Sequence, residues 1–385
     1  MIYLDNAATT KMDARVFDAM LPYLRDKYGN PGALYPLGLD ARKAIERARE
    51  QVAALINCEP GQIVFTSGGS EANNLVIKNS IYGLGKSKVI SLNSEHDSVR
   101  GAVASLRQAG SLLPSIKAVY TYLWRVARIS CLNMPSEVGL VSVMCVNNET
   151  GLINPVEDIA LNCHATGALF HTDCVQALGS IPVDVKEIGC DFASFSSHKI
   201  HGPKGVGALY VKDDSLLRPL ICGGAEQEFG LRGGTENVAG IVGFGAACRI
   251  TRERLFDDMV YIEALRDVFL EALFECANES QAPEWMRINN PWLDDCTSKI
   301  LNIRFDGVDA QSLVLSAGTR GVCISAGSAC RAHDNKPSPA LISIGLTEEQ
   351  ARSSVRVSFS RDNTKEEVEE AARIIVSCAI ELGSM

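Results

Sequence analysis

The chain has 385 residues, of which 46% are hydrophobic and 22% charged, and its formal net charge is −9. This length predicts about two or three domains of ordinary size, and the composition is that of a globular protein, which excludes a disordered chain. Acidic residues outnumber basic ones by 46 to 37 without any lysine or arginine block, so direct binding to nucleic acid is not expected. The longest apolar runs are much shorter than the roughly 20 residues of a membrane-spanning helix, and no membrane segment is expected.

Thirteen cysteines are scattered along the chain without a CxxC pair or any other clustered ligand set. This spacing predicts reduced thiols, and it disfavours the alternative of a scaffold that holds a metal ion or an iron–sulfur cluster. The first residues contain neither a basic start nor a long apolar stretch. We therefore expect no secretory leader and a cytoplasmic location.

Helix-like periods alternate with short β-branched runs, which predicts an α/β fold with a mainly parallel sheet covered by helices. The first clear helix runs from Asp40 to Leu55 and the first strand from Ile63 to Thr66. Further strands are predicted at Lys88–Leu92, Ala118–Leu123, Leu140–Val146, Ala168–Phe170, Phe192–Phe195 and Val206–Val211. The remainder of the stretch from Ser111 to Glu137 shows no clear period and receives no assignment.

A change in composition near residue 250 predicts a domain boundary. A charged helix is predicted from Thr251 to Glu275, followed by a loop rich in Trp, Pro and Asn. Two strands, Ile300–Phe305 and Val355–Phe359, and a terminal helix over Lys365–Ser377 complete this part of the chain. These elements predict a smaller α+β domain.

A Ser-Gly-Gly-Ser turn, Ser67–Ser70, separates the first predicted strand from a helix. Such a turn presents backbone N–H groups at a helix N-terminus, which suits a phosphate group. The alternative is an ordinary glycine turn in which Ser70 caps the helix.

Polar side chains follow several predicted strands directly: Glu95 and His96, Asn148, Asp173, and the run from Ser196 to Lys199. Because ligands bind outside the carboxyl ends of the strands in open α/β sheets, we expect these groups to converge on one site.

Lys199 lies in an irregular turn with glycine and proline, where a partly buried lysine can form a Schiff base with an aldehyde. Asp173 can pair with a protonated pyridine nitrogen. With the phosphate-binding turn, these two residues point to pyridoxal phosphate. His96 would then stack on the ring and transfer protons, and Asn148 and Gln176 would supply neutral hydrogen bonds. Each residue also has a simpler alternative. Lys199 would be an ordinary surface cation and His96 a hydrogen-bonded core histidine. Asn148 and Gln176 would only cap loops.

Cys330 ends a run of small residues and is followed by small, polar and cationic ones, which predicts an exposed, mobile loop with a reactive thiol. Without further context it is one inert cysteine among thirteen. Arg356 lies in the middle of a predicted strand and therefore needs a carboxylate partner. That partner is either a substrate carboxylate or an acidic residue of the protein.

Together these residues resemble the cysteine desulfurases of the NifS/IscS group, pyridoxal-phosphate enzymes of the aspartate-aminotransferase fold type I. The motifs that carry the resemblance are, in order, Tyr3–Thr10, Thr66–Asn74, Glu95–His96, Val146–Gly151, His171–Asp173 with Gln176, Ser196–Gly205, Arg232–Thr235, Ser325–Cys330 and Ser353–Ser358. The resemblance implies a large cofactor-binding domain over residues 13–250. Residues 1–12 and 251–385 would form the small domain with the catalytic-cysteine loop.

The resemblance also implies a role for each matching residue. Lys199 would hold the cofactor covalently and act as a base, Asp173 would pair with the pyridine nitrogen, and His96 would be the stacking acid and base. Cys330 would take sulfur from L-cysteine as a persulfide and leave L-alanine. The phosphate ligands would be Gly69, Ser70, Ser196 and His198, with Thr235 of a second subunit. Gln176 would contact the ring oxygen, and the substrate carboxylate would be held by Arg356 and Asn148.

By the same resemblance the enzyme would be a homodimer that passes sulfur to an acceptor protein. Its cysteine loop looks like that of the family members with a long loop, which carries sulfur to separate acceptors. Iron–sulfur cluster assembly, tRNA thiolation and DNA phosphorothioation all start from such a persulfide. The nearest alternatives are a selenocysteine lyase and an aminotransferase, and a mobile thiol is not needed for transamination. The chain departs from the family pattern at Gly32–Tyr35, at Ser70 and at Gly233.

Overall fold

The fold is known from a computed structural model, which describes residues 1–82, 88–109, 119–121, 138–224, 226–279, 285–290, 293–327 and 337–383. Cys330 and most of the unassigned stretch between Ser111 and Glu137 lie outside the described residues. No helix in the described ranges is long and apolar enough to cross a membrane.

The central sheet has seven strands within the described part of the chain. They are β2 (Ile63–Thr66), β3 (Lys88–Leu92), β4 (Val119–Thr121), β5 (Val138–Ser142), β6 (Leu169–Asp173), β7 (Phe192–Ser196) and β8 (Gly207–Val211). Their spatial order is β2-β8-β7-β6-β5-β3-β4, and β8 runs antiparallel to both of its neighbours whereas the other pairs are parallel. The predicted mainly parallel α/β fold is therefore confirmed.

Helices accompany this sheet along the same part of the chain. They are α1 (Ala14–Arg25), α2 (Pro36–Ile56), α3 (Gly69–Tyr82), α4 (Asp97–Ala109), α5 (Val156–Ala165), α6 (Val185–Ile188) and α7 (Val238–Glu279). Leu75 of α3 and Val103 of α4 are fully buried and pack with Leu140 and Leu209 of the sheet in one apolar cluster. Burial of this kind is the main stabilising contribution to such a layer.

The remaining elements build a second apolar core. The short strands β1 (Ile2–Tyr3) and β11 (Val322–Cys323) pair in parallel, and the antiparallel strands β12 (Ser354–Ser358), β10 (Ile300–Phe305) and β9 (Met286–Ile288) form a separate sheet in that order. The helices of this part are α8 (Ala310–Thr319), α9 (Pro339–Ser343), α10 (Glu348–Arg352) and α11 (Lys365–Gly383). In its core the rings of Phe269 and Phe359 meet edge to face with centroids 5.4 Å apart.

The chain divides into two compact units, one of Lys11–Cys145 and Asn154–Glu253, the other of Met1–Thr10, Val146–Ile153 and Arg254–Met385. The domain boundaries at residues 12 and 250 stay a prediction. The segment Val146–Ile153 belongs to the second unit because its backbone bonds to residues far along the chain. The Ile153 N–H group donates to the Asp295 carbonyl at 2.9 Å, for example.

The long helix α7 begins at Val238, well before the expected start at Thr251. Its first turns are rich in glycine, which hides the helical period in the sequence. A Cβ atom on Gly245 would lie 2.6 Å from the Cα atom of Ala48 in α2. The glycine therefore allows α2 and α7 to approach closely, and tertiary packing overrides the low helix propensity of glycine.

Candidate active site

The glycine turn lies between β2 and α3, and the helix begins at Gly69, so Ser70 is inside its first turn and does not cap it. Gly68 has a φ of +152°, which residues with a side chain rarely adopt. The first N–H groups of α3, which begins at Gly69, have no acceptor within the helix. Together with the helix dipole they form an anion-binding position.

Ser196, at the end of β7, lies beside this turn. Its Oγ atom is 3.8 Å from the position that a Cβ atom on Gly68 would take. Glu71 fixes the turn from the other side, since its carboxylate accepts the Ser67 N–H group at 2.9 Å and the Arg232 Nε–H group at 3.1 Å. Gly69 and Ser196 are thus neighbours in space, and Glu71 joins their turn to the segment of Arg232.

Asp173 is the last residue of β6 and is buried. Its Oδ1 atom accepts the Val175 N–H group at 2.9 Å, and its Oδ2 atom accepts a hydrogen from Asn73 Nδ2 at 2.7 Å. Among the described residues no basic side chain forms an ion pair with Asp173. A buried carboxylate with only neutral donors is costly, so this position suits a cationic ligand group.

His96 is connected to Asp173 through two further side chains. Its Nδ1 atom lies 2.8 Å from Ser98 Oγ and 3.1 Å from the Ser98 backbone nitrogen. Asn73 Nδ2, which donates to Asp173, also donates to Ser98 Oγ at 2.8 Å. His96, the predicted stacking residue, and Asp173, the predicted partner of the pyridine nitrogen, therefore belong to one hydrogen-bonded network.

Glu95 lies in the same region and is buried. Burial raises the pKa of its carboxyl group well above the usual value, the Met144 N–H group opposes this effect from 2.8 Å, and the negative charge of Asp173 adds to it. The site therefore favours the neutral form of Glu95.

Lys199 and His198 lie in a short turn, Ser197–Lys199, directly after β7, and both are half-buried. His201 holds the loop that follows: its φ is +63° and its Nδ1 atom is 3.0 Å from the carbonyl oxygen of Lys11. Gln176 is buried in the loop after β6. These residues thus occupy the strand-end segments in which the sequence places them.

Arg356 and Asn148 belong to the second unit. The Arg356 guanidinium is buried in β12, where it donates to Asp5 Oδ1 and to the Asn148 carbonyl oxygen, both at 2.7 Å. The carboxylate partner that the sequence requires is therefore Asp5 of the chain itself, paired to Arg356. Thr235 is exposed, and Cys330 lies outside the described residues.

Sequence reasoning missed Asn73 and Ser98. One weak signal was present, because Asn73 follows Gly69 by one helical turn and so shares its face of α3. Ser98 lies only two residues after His96 at the start of α4, but no local relation connects Asn73 with Ser98 or with Asp173.

The family model described as "Aminotransferase class-V" matches residues 2–370 of this chain. The chain belongs to this family. It is similar to "Cysteine desulfurase IscS" of Rickettsia bellii, with 39% identity over 98% of this chain and 90% of that protein. It is equally similar to the mitochondrial cysteine desulfurase of Arabidopsis thaliana, with 39% identity over 100% of this chain and 83% of that protein.

Two solved structures have the same fold. One is a NifS-like protein with a TM-score of 0.87 and 32% identity, covering 98% of both chains. The other is described as SspA in complex with cysteine, with a TM-score of 0.76 and 32% identity over 94% of this chain and 99% of that one. The resemblance to the NifS/IscS group and the fold type are confirmed.

Proposed function

We propose that this protein is a pyridoxal-phosphate-dependent cysteine desulfurase that converts L-cysteine to L-alanine and receives the sulfur as a persulfide on Cys330. The observation that supports this best is the Asp173 carboxylate. It is buried among neutral donors, and Asn73 connects it to the helix whose glycine turn can bind a phosphate. A phosphate position and a buried acid without a basic ion-pair partner among the described residues would match the phosphate group and the protonated pyridine nitrogen of pyridoxal phosphate.

The residues around the turn fit the cofactor. The N–H groups of Gly69 and Ser70 and the Ser196 hydroxyl would bind its phosphate, with His198 and with Thr235 of a second subunit. Asp173 would keep the pyridine nitrogen protonated, Gln176 would contact the ring oxygen, and Lys199 would hold the cofactor covalently. When bound, pyridoxal phosphate supplies a reactive aldehyde and a ring that accepts electrons from the substrate.

The remaining roles fall to side chains of this chain. His96 would stack on the cofactor ring and would move protons at its Nε2 atom, because Nδ1 is already engaged by Ser98. Arg356 and Asn148 bind the substrate carboxylate. Arg356 does so while paired to Asp5, and its Nε atom has no partner among the described residues.

Cys330 acts as a thiolate on the sulfur atom of the substrate. One carbon–sulfur bond of L-cysteine breaks as one sulfur–sulfur bond forms, so that cysteine and a thiol become alanine and a persulfide. Atoms and electrons balance without an external oxidant. The persulfide is then passed to an acceptor protein, in iron–sulfur cluster assembly, tRNA thiolation or DNA phosphorothioation. The enzyme would act as a homodimer in the cytoplasm.

Replacement of the thiol tests this function. Cys330→Ser should keep the yellow cofactor and bind cysteine, yet release almost no sulfide or alanine, because the other residues of the site are unchanged. Mass spectrometry of the wild type after brief exposure to cysteine should find one added sulfur on the peptide that contains Cys330.

Two further variants make the test specific. Cys323→Ser should retain full turnover, and Lys199→Ala should lose the cofactor label that borohydride traps in the wild type. A persulfide found mainly on Cys323, or a Cys330→Ser variant with full turnover, would contradict the proposal.

A further inference from the structure

We propose that Asn73 and Ser98 form a relay that positions His96 and holds its neutral ring as the Nε2–H tautomer, with Asp173 as the fixed end of the relay. Asn73 and Ser98 are positioning residues. The inference rests on the proposed function for the roles of His96 and Asp173, but the tautomer itself is a property of the folded chain.

The orientation of the Asn73 amide is determined by its neighbours. An ionised carboxylate accepts hydrogen bonds and cannot donate them, so the atom 2.7 Å from Asp173 Oδ2 has to be the amide nitrogen. The second hydrogen on this nitrogen points to Ser98 Oγ at 2.8 Å. Asp173 therefore fixes Asn73 as a donor to Ser98.

The contacts of Ser98 set the direction of the next step. Its hydroxyl oxygen accepts from Asn73 and lies 2.8 Å from His96 Nδ1, where its own hydrogen can be donated. Its backbone N–H group points at the same ring nitrogen from 3.1 Å. Two donors converge on Nδ1, so this atom is an acceptor and the ring hydrogen of neutral His96 resides on Nε2.

The start of α4 adds to this arrangement. The N–H groups of Val99 and Arg100 bond to the His96 carbonyl, and the His96 ring accepts the Ser98 N–H group, so the ring itself caps the helix. A hydrogen on Nδ1 would face the Ser98 N–H group and the positive end of α4, and both repel it. The ring is thus held in place by its Nδ1 atom.

Nitrogen NMR reads the tautomer directly. The chain has six histidines, so the holoenzyme labelled with 15N-histidine gives few signals, and the signal absent from His96→Gln identifies His96. At mildly alkaline pH we expect the wild-type ring to show the Nε2–H pattern. In Ser98→Ala and in Asn73→Ala we expect the share of the Nδ1–H tautomer to rise, although the backbone N–H group of residue 98, which both variants keep, still opposes it.

Kinetics give a second readout. Each variant should lower kcat about tenfold, the equivalent of about 1.4 kcal/mol, with KM changed less than twofold, because the relay orients His96 and does not bind substrate. The double variant should be no slower than the slower single one, since both changes interrupt the same relay. Ser98→Thr keeps a hydroxyl group at this position and should show the wild-type tautomer and the wild-type rate.

Ser105→Ala is the matched control. Ser105 lies on the same helix and donates to the Ala102 carbonyl at 2.7 Å, so its loss should alter neither readout. An Nδ1–H tautomer in the wild type, or an unchanged spectrum in Ser98→Ala, would overturn the relay. An absence of desulfurase turnover with the expected tautomer would instead overturn the proposed function alone.

Discussion

His171 is a buried polar residue in the middle of the central sheet. Its Nδ1 atom lies 2.8 Å from Ser142 Oγ of β5, and its Nε2 atom lies 2.9 Å from Ser194 Oγ of β7. Burial lowers the pKa of His171 to about 3, which keeps the ring neutral. One side chain thus connects three neighbouring strands close to Asp173, and each ring nitrogen has a hydroxyl partner.

This histidine predicts an acid sensitivity of the fold. Unfolded His171 takes up a proton near its usual pKa of about 6.5, whereas the folded residue does not until about pH 3. The stability that it contributes is therefore fully present above pH 6.5 and falls as the pH decreases, by up to about 1.4 kcal/mol per pH unit. The His171→Gln variant has no ring that takes up a proton on unfolding, so it does not lose this part of its stability in acid. The difference in melting temperature between the wild type and His171→Gln should therefore become smaller between pH 7 and pH 5.

Ser142→Ala is the control, because it removes a hydrogen bond but keeps the titrating ring. The difference in melting temperature between the wild type and Ser142→Ala should therefore not become smaller between pH 7 and pH 5. If the difference in melting temperature between the wild type and His171→Gln stays constant with pH, the ring is protonated in the folded protein at the same pH as in the unfolded chain.

At the scale of the elements, a buried ion pair joins α2 to the edge strand β2. Arg49 of α2 donates to both carboxylate oxygens of Glu228, at 2.8 and 2.9 Å, and to the Ile63 carbonyl at 2.6 Å. Glu228 in turn accepts the Phe65 N–H group of β2. The pair therefore covers the free edge of the sheet, which would otherwise expose unpaired backbone groups. Glu228 has a φ of +41°, a region that side chains disfavour, so this contact also holds an unfavourable backbone.

Loss of one partner should be costly. Glu228→Ala leaves the buried Arg49 charge with only the half-exposed Glu46, 3.3 Å away, as a charged partner. We expect a loss of about 3 kcal/mol in stability, measured as a lower midpoint of denaturation. Glu226→Ala, an exposed neighbour in the sequence, should change stability by less than about 0.5 kcal/mol. Similar losses in the two variants would mean that Arg49 finds another partner or water.

At the scale of the molecule, the site proposed here needs a residue from a second subunit. Thr235 is exposed, next to Gly234, whose φ is +103°. The adjacent Arg232 is anchored to Glu71 of the phosphate turn. An exposed threonine beside such an anchor is available to another copy of the chain.

Mixed dimers test this assignment. Thr235→Val should weaken cofactor binding, and Lys199→Ala should be inactive. If Thr235 acts across the subunits, mixing the two variants creates dimers with one intact site, and about half of the wild-type activity per mixed dimer should return. No recovery on mixing, or a fully active monomer in sedimentation, would place Thr235 in its own subunit's structure or outside the site.

Much of the fold follows from local features of the sequence. Strands such as Ile63–Thr66 and Lys88–Leu92 were predicted with their observed bounds, because a buried strand is a short β-branched run between turn residues. The start of α7 was missed for the opposite reason. Its glycines have a low helix propensity, and only their packing, such as that of Gly245 against Ala48, makes the segment helical.

For the site, the sequence by itself determined which candidate groups are present: a glycine turn before a helix, an acid at the end of one strand and a lysine after another. These signals are local, since each depends on a residue type and on the element that precedes it. Only the tertiary structure decided the partners that lie far apart in the chain, such as Asp5 for Arg356 and both Ser98 and Asp173 for Asn73. Hydrogen bonds form between atoms about 3 Å apart, and chain segments far apart in sequence reach that distance only after the fold has formed.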